Sequence, residues 1–350
     1  MDKEPTALNT IGEFGIIDRI KKHTDLKNQS SILGIGDDAA IVKSGEESML
    51  LCTDTLVEGV HFDLLYTPLK HLGYKAVIVN LSDIYAMNAL PEQILVSLAV
   101  SNRMSVEGID EIYEGIKLAC DMYQVDLVGG DTTSSLSGTV ITVTAVGKAF
   151  PSAITKRSGA KENDLICVSG DLGAAFMGLQ ILEREKQIFK ENSNIQPDLS
   201  GKDYILERQL KPEARKDIVH FLKENNILPT SMIDISDGLS SDLLHLAKSS
   251  EVGVQIYEEK IPLDVTTVAT AEELNINPIL AALNGGEDYE LLFTIPITQH
   301  DRIKQAEGIT IIGHITEKAS GYFMVAKGSE ELIELKAQGW DHGSAKADAQ

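Results

Sequence analysis

Residues 34–40 read GIGDDAA, a glycine turn that is followed at once by two carboxylates. A glycine turn that binds phosphate normally leaves room for an anion, and acidic side chains would repel one. The two aspartates therefore indicate that a cation lies between this turn and any bound phosphate. Asp37 and Asp38 are therefore both candidates for binding a metal ion.

Acidic residues also follow strand-like apolar runs elsewhere in the chain. They are Asp54 in LLCTDT, Asp83 in NLSDIYAM, Asp131 in LVGGDTT, and Asp234 with Asp237 in MIDISDGL. Strand ends commonly display functional side chains on a rigid scaffold, and Mg²⁺ prefers hard oxygen ligands such as carboxylates. Any one of these aspartates alone is more often a turn or helix N-cap residue. If they converge in space, they hold more than one Mg²⁺ ion.

Nucleotide-binding signatures of the common kinds are missing. The sequence has no GxxxxGK[ST] P-loop and no HRD or DFG motif of protein kinases. Any bound nucleotide therefore needs metal ions to hold its phosphates. Arg157 in TKRSGAK could grip a phosphate with two arms of its guanidinium, although a solvated linker is an equal alternative. Gly130 would let the backbone approach a ligand, or it marks a tight turn.

A second acidic group lies near the carboxyl end. The stretch GGEDYELLFT places Glu287, Asp288 and Glu290 after two glycines, and strand alternation predicts that Asp288 and Glu290 share a face. The single tryptophan, Trp340, lies in AQGWDHG, where a packing anchor is a more common role than a ligand platform.

Composition limits the function classes. A chain of 350 residues with 43% hydrophobic and 24% charged residues is typical of a soluble protein with about two domains. The formal net charge of −22 argues against a nucleic-acid partner, since such proteins concentrate Lys and Arg. Its three cysteines show no CxxC pairing. Neither a signal peptide nor a long apolar run is present, so we expect a cytoplasmic protein that does not contact membranes.

Hydrophobic periodicity predicts alternating strands and helices. In the first half we expect strands at 49–52, 93–100, 125–128 and 139–146, and helices at 72–87 and 106–123. Within 72–87, the run KAVIVNLSD would also fit a strand, but one apolar helical face favours a helix. In the second half we expect strands at 165–168, 232–235, 289–295, 309–312 and 321–325, and helices at 174–186, 212–225 and 239–249. Asp83 projects from the apolar face of helix 72–87, where a buried carboxylate needs a partner. The boundary between two domains is expected near residue 150.

Seven motifs together carry a family resemblance. They are GIGDDAAIV, TDTLVEGVHF, YKAVIVNLSDIYAMNALP, GGDTT, TKRSGAK, IDISDGLSSDL and GGEDYELLF. In this order they resemble the thiamine-monophosphate kinase family along essentially the whole chain. That family belongs to the ATP-binding superfamily typified by aminoimidazole ribonucleotide synthetase.

The resemblance implies an α+β fold of two domains. Residues 1–150 would form a domain with a mixed sheet that binds metal and ATP and pairs with its copy in a homodimer. Residues 151–350 would form an α/β-sandwich-like domain that completes the ATP and substrate sites. The implied reaction is direct, in-line transfer of the ATP γ-phosphoryl group to thiamine monophosphate, assisted by several Mg²⁺ ions and giving thiamine diphosphate.

The resemblance also implies roles for individual residues. Those at metal-ligating positions are Asp38, Cys52, Thr53, Asp54, Asp83, Asp131, Asp234 and Asp237. Those at ATP-contacting positions are Gly130, Arg157 and Ser236, and those at substrate-contacting positions are His61, Glu287 and Trp340. Cys52 would ligate through its backbone carbonyl, because a thiol is a poor Mg²⁺ ligand. The cationic thiazolium suits Glu287 and the aromatic face of Trp340. No general base is needed, because the acceptor phosphate is already ionised.

Two other classes of protein are alternatives. Another enzyme of the superfamily, such as selenophosphate synthetase or the hydrogenase-maturation dehydratase, would carry a reactive cysteine or selenocysteine near the amino end or a cysteine at the carboxyl end. The first 51 residues here lack cysteine and the sequence ends KADAQ. A Ca²⁺-binding structural or sensor protein would have clustered DxDxDG loops, and none is present.

Overall fold

The computed structural model describes residues 12–192, 194–304 and 306–337, and it describes only the backbone of residues 12–14 and 16. Trp340 lies outside these residues. Two sheets, each covered by helices, form an α+β architecture, as the resemblance implies.

The first sheet is built from the first half of the chain. Its six strands are β1 (Ser31–Leu33), β2 (Ala40–Ser44), β3 (Glu47–Val57), β4 (Leu90–Val100), β5 (Asp126–Ser134) and β6 (Val140–Ala149). They lie in the order β1-β2-β3-β6-β4-β5, and only β4 and β5 are parallel. The sheet is therefore mixed, and β5 forms one of its edges. The helices are α1 (Gly12–Lys22), α2 (Leu69–Ala86) and α3 (Val106–Tyr123).

The two long helices form where periodicity predicts them. Helix α3 buries Ile112, Ile116 and Ala119 at helical spacing, and its N-cap Ser105 accepts a hydrogen bond from the Gly108 N–H at 3.0 Å. Helix α2 is buried almost all round, because it lies between the sheet, α3 and the second half of the chain. That environment explains why its sequence looked ambiguous between helix and strand.

The second half of the chain forms the other sheet. Its seven strands are β7 (Leu165–Ser169), β8 (Ser231–Ile235), β9 (Gly253–Tyr257), β10 (Glu290–Ile295), β11 (Ile309–Thr316), β12 (Tyr322–Val325) and β13 (Leu332–Glu334). They lie in the order β13-β12-β9-β11-β7-β10-β8, and only β12 and β9 are parallel. The helices are α4 (Ala174–Glu191), α5 (Asp203–Leu210), α6 (Lys216–Glu224), α7 (Leu239–Ser250), α8 (Val265–Glu273), α9 (Pro278–Asn284) and α10 (His300–Ile303).

Three predicted elements are shorter than expected, and one of them is strand β12, which begins at Tyr322 rather than at 321. Helix α6 begins at Lys216 rather than at 212. The segment before it is held by the other half of the chain, since the Ala214 N–H donates to the Tyr123 hydroxyl at 2.9 Å and Glu213 accepts from the hydroxyls of Tyr74 and Tyr123 at 2.6 Å. Strand β10 begins at Glu290, because Glu287 and Tyr289 have positive φ angles of 60° and 51°. The elements that were not predicted are strands β1, β2, β9 and β13 and helices α1, α5, α8, α9 and α10.

The apolar core crosses between the two halves. One cluster of buried side chains joins Leu50, Ile78 and Ile94 with Met232 and Phe293. A second cluster lies within the second half. Each sheet uses strands from one side of residue 150, but the domain boundary itself stays a prediction. Within the described ranges, no helix has the length and apolar character needed to span a bilayer.

Candidate metal and substrate site

Three carboxylates meet where the two halves touch. Asp38 lies in the turn between β1 and β2, Asp83 in the last turn of α2, and Asp234 on β8. Each offers one oxygen, and these oxygens lie within 4.8 Å of one another. The hydroxyl of Ser82 donates to Asp234 Oδ2 at 2.6 Å, which fixes α2 against β8. We call Asp38, Asp83 and Asp234 the acidic cluster.

Negative charge in the acidic cluster is costly without a cation. Burial and the neighbouring charge of Asp38 raise the pKa of Asp234 to about 7. Burial, then the charges of Asp54 and Asp234, hold the pKa of Asp83 well above its usual range. Loss of hydration and like-charge repulsion both favour the protonated forms. A bound metal ion would reverse this preference, because carboxylates ligate in the ionised form.

Asp38 has one oxygen held by protein and one that is not. The Arg157 Nη2 and Nε groups both donate to its Oδ1, at 2.6 and 3.2 Å. Its Oδ2 is buried and has no hydrogen-bond partner among the described residues. Such an orphaned oxygen is unusual in a protein and fits a metal ligand.

Asp37 holds the glycine turn together. Its Oδ1 accepts hydrogen bonds from the backbone N–H groups of Asp38 and Arg157, at 3.1 and 3.2 Å. Gly36 has a φ of +126°, so the turn requires glycine there. Burial and the charge of Asp38 raise the pKa of Asp37 to about 6. Asp37 thus positions both the metal-ligand candidate and the arginine beside it.

Strand β3 carries the next three candidates, and Asn80 of α2 fixes two of them. Asn80 Oδ1 accepts a hydrogen bond from the Asp54 N–H at 2.9 Å, and the backbone carbonyl of Asn80 accepts one from the Cys52 thiol at 3.2 Å. Burial, then the charge of Asp83, raises the pKa of Cys52, which keeps the thiol protonated. Strand alternation directs Thr53 to the opposite face, where its hydroxyl bonds β6. Asp54 lies close enough to Asp83 to raise its pKa.

The turn after β8 packs against the segment before β10. The Glu287 N–H donates to the Ser236 carbonyl at 2.7 Å. The Asp237 N–H donates to Asp242 Oδ2 at 3.2 Å, which orders the turn at the start of α7. Burial and the charge of Asp237 hold the pKa of Asp242 well above its usual range. Ser236, Asp237 and Glu287 therefore lie along one continuous surface.

Tyr289 connects this surface to the acidic cluster. Burial raises its pKa first, followed by the charges of Glu287 and of Asp54, Asp234 and Asp237. Its hydroxyl lies 3.5 Å from Glu287 Oε1. The substrate-contacting candidate Glu287 thus adjoins the metal-ligand candidates through one buried tyrosine.

His61 lies near Glu287 on a loop that the second half holds in place. Its Nδ1 accepts from the Val57 N–H at 3.0 Å. Burial opposes the negative charge of Glu287, but Lys75 first, then Gln209 and His61, lower the pKa of this carboxyl group. The loop is tied to α4 by an ion pair of 2.9 Å between Asp63 and Lys186. Both of these substrate-contacting candidates are therefore at the junction of the halves.

Gly130 and Asp131 lie elsewhere, on the exposed edge strand β5. The register pairs Asp54 with Val143, Val143 with Val96, and Val96 with Gly130. Asp54 and Gly130 are therefore three strand spacings apart, which is about 14 Å. A Cβ at Gly130 would lie 1.8 Å from the Val96 carbonyl oxygen, so glycine allows β5 to approach β4. The roles expected for these two residues stay predictions, as does that of Trp340.

Several site residues were missed from the sequence. Asn80, Lys75, Tyr289 and Asp242 all bond or face the candidates above. Lys75 and Asn80 carry a usable signal, because a lysine and an asparagine inside an otherwise apolar helix need buried partners. No sequence pattern marks Tyr289 and Asp242, since only the fold brings these two residues to the site.

Comparison with known proteins identifies the family of the chain. Residues 36–149 match the sequence profile described as AIR synthase related protein, N-terminal domain. The chain is 35% identical to a thiamine-monophosphate kinase of Bacillus subtilis (strain 168), over 94% of this chain and 99% of the relative. It is 38% identical to one of Aquifex aeolicus (strain VF5), over 96% and 99%.

Similarity extends to a solved structure described as AaThiL complexed with AMPPCP and TMP. That structure has a TM-score of 0.82 and 35% sequence identity, and the match covers 97% of this chain and 100% of that one. The fold and the match over residues 36–149 thus identify a protein of the AIR synthase-related class. Within that class, the chain belongs to the thiamine-monophosphate kinase family.

Proposed function

We propose that this chain is a kinase that transfers the γ-phosphoryl group of ATP to thiamine monophosphate, giving thiamine diphosphate and ADP. The observation that carries the proposal is the meeting of Asp38, Asp83 and Asp234 within 4.8 Å at the junction of the halves. A kinase without a P-loop needs such carboxylates to hold its nucleotide through metal. The substrate is inferred from relatives that are 35% and 38% identical over nearly the whole chain.

The residues present fit Mg²⁺. Carboxylate oxygens are its preferred protein ligands, and the orphaned Asp38 Oδ2 is available to it. Asp38, Asp83 and Asp234 would hold the ion, with Asp54 and Asp237 nearby. Further candidate ligands are Cys52 and Thr53, and Asp131 from the edge strand. When bound, Mg²⁺ would neutralise charge on two phosphate groups that would otherwise repel each other.

The protein's own residues contribute positioning. Arg157 and Asp37 hold Asp38 in place, and Ser82 does the same for Asp234. We assign Gly130, Arg157 and Ser236 to ATP, and His61, Glu287 and Trp340 to thiamine monophosphate. No side chain is assigned as general base, because the acceptor phosphate already carries an ionised oxygen. Holding donor and acceptor in line accounts for most of the catalysis of such a transfer.

We further propose a cytoplasmic homodimer with its domains divided near residue 150. Among the described residues strand β5 pairs only with β4, and its residues Leu127 and Val128 are 42% and 58% exposed. A long, exposed apolar edge favours pairing with another strand. A second copy that pairs there would cover β5 and change the surroundings of Gly130 and Asp131.

A product assay tests the proposed function. The purified chain is incubated with ATP, MgCl₂ and thiamine monophosphate, and the thiamine compounds are separated by HPLC. We expect thiamine diphosphate and ADP in equal amounts, and no product when EDTA replaces MgCl₂. ADP formed without thiamine diphosphate would contradict the proposal and would direct the search to another acceptor, such as selenide.

A further inference from the structure

Lys75 is a buried charge that joins the two halves of the chain. It lies on α2 with 3% of its surface exposed. Its Nζ donates to Glu287 Oε2 at 2.8 Å and to the Gln209 carbonyl oxygen at 3.0 Å. A buried ammonium is costly unless it is paired and hydrogen-bonded, so this geometry is closely fixed.

The donors around Glu287 converge on one of its two oxygens. Besides Lys75, the Gln209 Nε2 group donates to Oε2, at 2.9 Å. On the other side, Oε1 has the Tyr289 hydroxyl at 3.5 Å, which is too long for a strong hydrogen bond. A quarter of the Glu287 side chain is exposed, against 4% for Lys75. Two close donors therefore occupy Oε2, whereas Oε1 has only this long contact with Tyr289.

The backbone at Glu287 supports a functional role. Its φ of 60° is uncommon for a residue with a side chain, and Tyr289 repeats this at 51°. Such strain persists only where the surroundings enforce it, and it concentrates at functional sites. Here the segment is held by the Ser236 carbonyl and the Lys75 ammonium.

We propose that Lys75 is a positioning residue, which with Gln209 occupies Oε2 of Glu287 and leaves Oε1 to accept a hydrogen bond from the pyrimidine amino group of thiamine monophosphate. The inference rests on the proposed function. Because Lys75 and Glu287 form a pair without net charge, the pair attracts a distant cation weakly. The quaternary thiazolium has no N–H to donate, whereas the amino group has two. The assignment differs from the pairing of Glu287 with the thiazolium that the sequence suggested.

Two variants separate this role from simple docking of the halves. Lys75→Met removes the ammonium, and Gln209→Leu removes only the amide donor while keeping the carbonyl that Lys75 contacts. Tyr74→Phe is the matched control, because Tyr74 lies on the same helix and bonds Glu213 across the junction, where Tyr123 keeps a second bond. Thermal unfolding of each variant verifies that it is folded.

Steady-state kinetics supply the readouts. For Lys75→Met we expect KM for thiamine monophosphate to rise about 10-fold to 100-fold, which is the range for losing one charged hydrogen bond. KM for ATP should stay within about twofold, since the ATP candidates are not contacted by Lys75. Gln209→Leu should also raise KM for thiamine monophosphate, but by a smaller factor. Tyr74→Phe should leave KM for thiamine monophosphate and KM for ATP near their wild-type values.

The substrate group is tested with the analogue of thiamine monophosphate that has oxygen in place of the pyrimidine amino group. Wild type should prefer the amino compound by at least about 10-fold in kcat/KM, and Glu287→Gln and Lys75→Met should both lose most of that preference. Equal turnover of both compounds by wild type would overturn the amino-group assignment. Equal increases in KM for ATP and thiamine monophosphate would show that Lys75 only docks the halves.

The remaining outcomes are also decisive. If Lys75→Met does not fold, Gln209→Leu decides, and an unchanged KM for thiamine monophosphate in that variant overturns the positioning role. Failure of wild type to phosphorylate thiamine monophosphate at all would refute the proposed function instead, which keeps the two failures distinct.

Discussion

Removing one carboxylate from the acidic cluster should stabilise the metal-free protein. The pKa of Asp234 is raised from 3.8 to about 7 by burial and by Asp38, and its side chain is almost fully buried. At about 1.4 kcal/mol for each pH unit, its ionised form costs the metal-free fold on the order of 4 kcal/mol at pH 8. Asp234→Asn keeps the shape and an acceptor for Ser82 but removes that cost.

The sign of the pH dependence follows from the raised pKa. A carboxyl group with a higher pKa in the folded state favours folding at low pH, and that contribution is lost as the pH rises through about 7. Metal-free wild type should therefore lose stability between about pH 4 and pH 8. Asp234→Asn should show a smaller loss, because the raised pKa values of Asp83 and Asp37 remain, and the two proteins should converge toward acid pH.

Thermal unfolding at pH 5 and pH 8 provides the assay, with EDTA in one series and MgCl₂ in the other. In EDTA at pH 8 the variant should unfold at a temperature several degrees above wild type. MgCl₂ should raise the midpoint of wild type and have little effect on the variant. Asp110→Asn, which changes an exposed aspartate of α3, is the control and should match wild type. A variant that is less stable than wild type at pH 8 in EDTA, or that gains as much from MgCl₂, would refute the reasoning.

Three further predictions follow from individual residues. Asp83→Asn should lower kcat for thiamine diphosphate formation at least about 100-fold with no loss of stability in EDTA, and near-normal turnover would remove it from the metal site. Gly130→Ala should cost about 1–3 kcal/mol in urea unfolding, because its Cβ would lie 1.8 Å from the Val96 carbonyl oxygen, and an unchanged midpoint would contradict the β4–β5 approach. Val128→Lys should shift the chain from dimer to monomer in sedimentation velocity, and an unchanged sedimentation coefficient would place any dimer contact elsewhere.

Local sequence patterns predicted most of the regular structure. Helix α3 followed from its apolar spacing, and most of the expected strands formed because β-branched runs bounded by turns favour them. The start of α6 could not be predicted, since the backbone just before it bonds Tyr123 of the other half. The same holds for Glu287 and Tyr289, whose positive φ angles are enforced by distant backbone.

For the candidate site, too, the sequence predicted the residues better than their positions in space. Asp38, Asp83 and Asp234 were marked by their motifs, and the fold brings them together because a turn, a helix end and a strand meet at one junction. Asp131 has an equally strong motif, yet it lies on the far edge of the first sheet. A motif therefore predicts the residue type and the turn that carries it. Whether that residue lies near the other aspartates depends on the order of the strands.

The central claim is that Asp38, Asp83 and Asp234 hold a divalent ion used in phosphoryl transfer to thiamine monophosphate. Its most direct test is a crystal structure of the protein with Mn²⁺ in place of Mg²⁺, a non-hydrolysable ATP analogue and thiamine monophosphate, measured with anomalous scattering. We predict an anomalous peak bonded to carboxylate oxygens of all three aspartates and to phosphate oxygens of the ATP analogue. Bound analogue with no anomalous peak at these carboxylates would contradict the account.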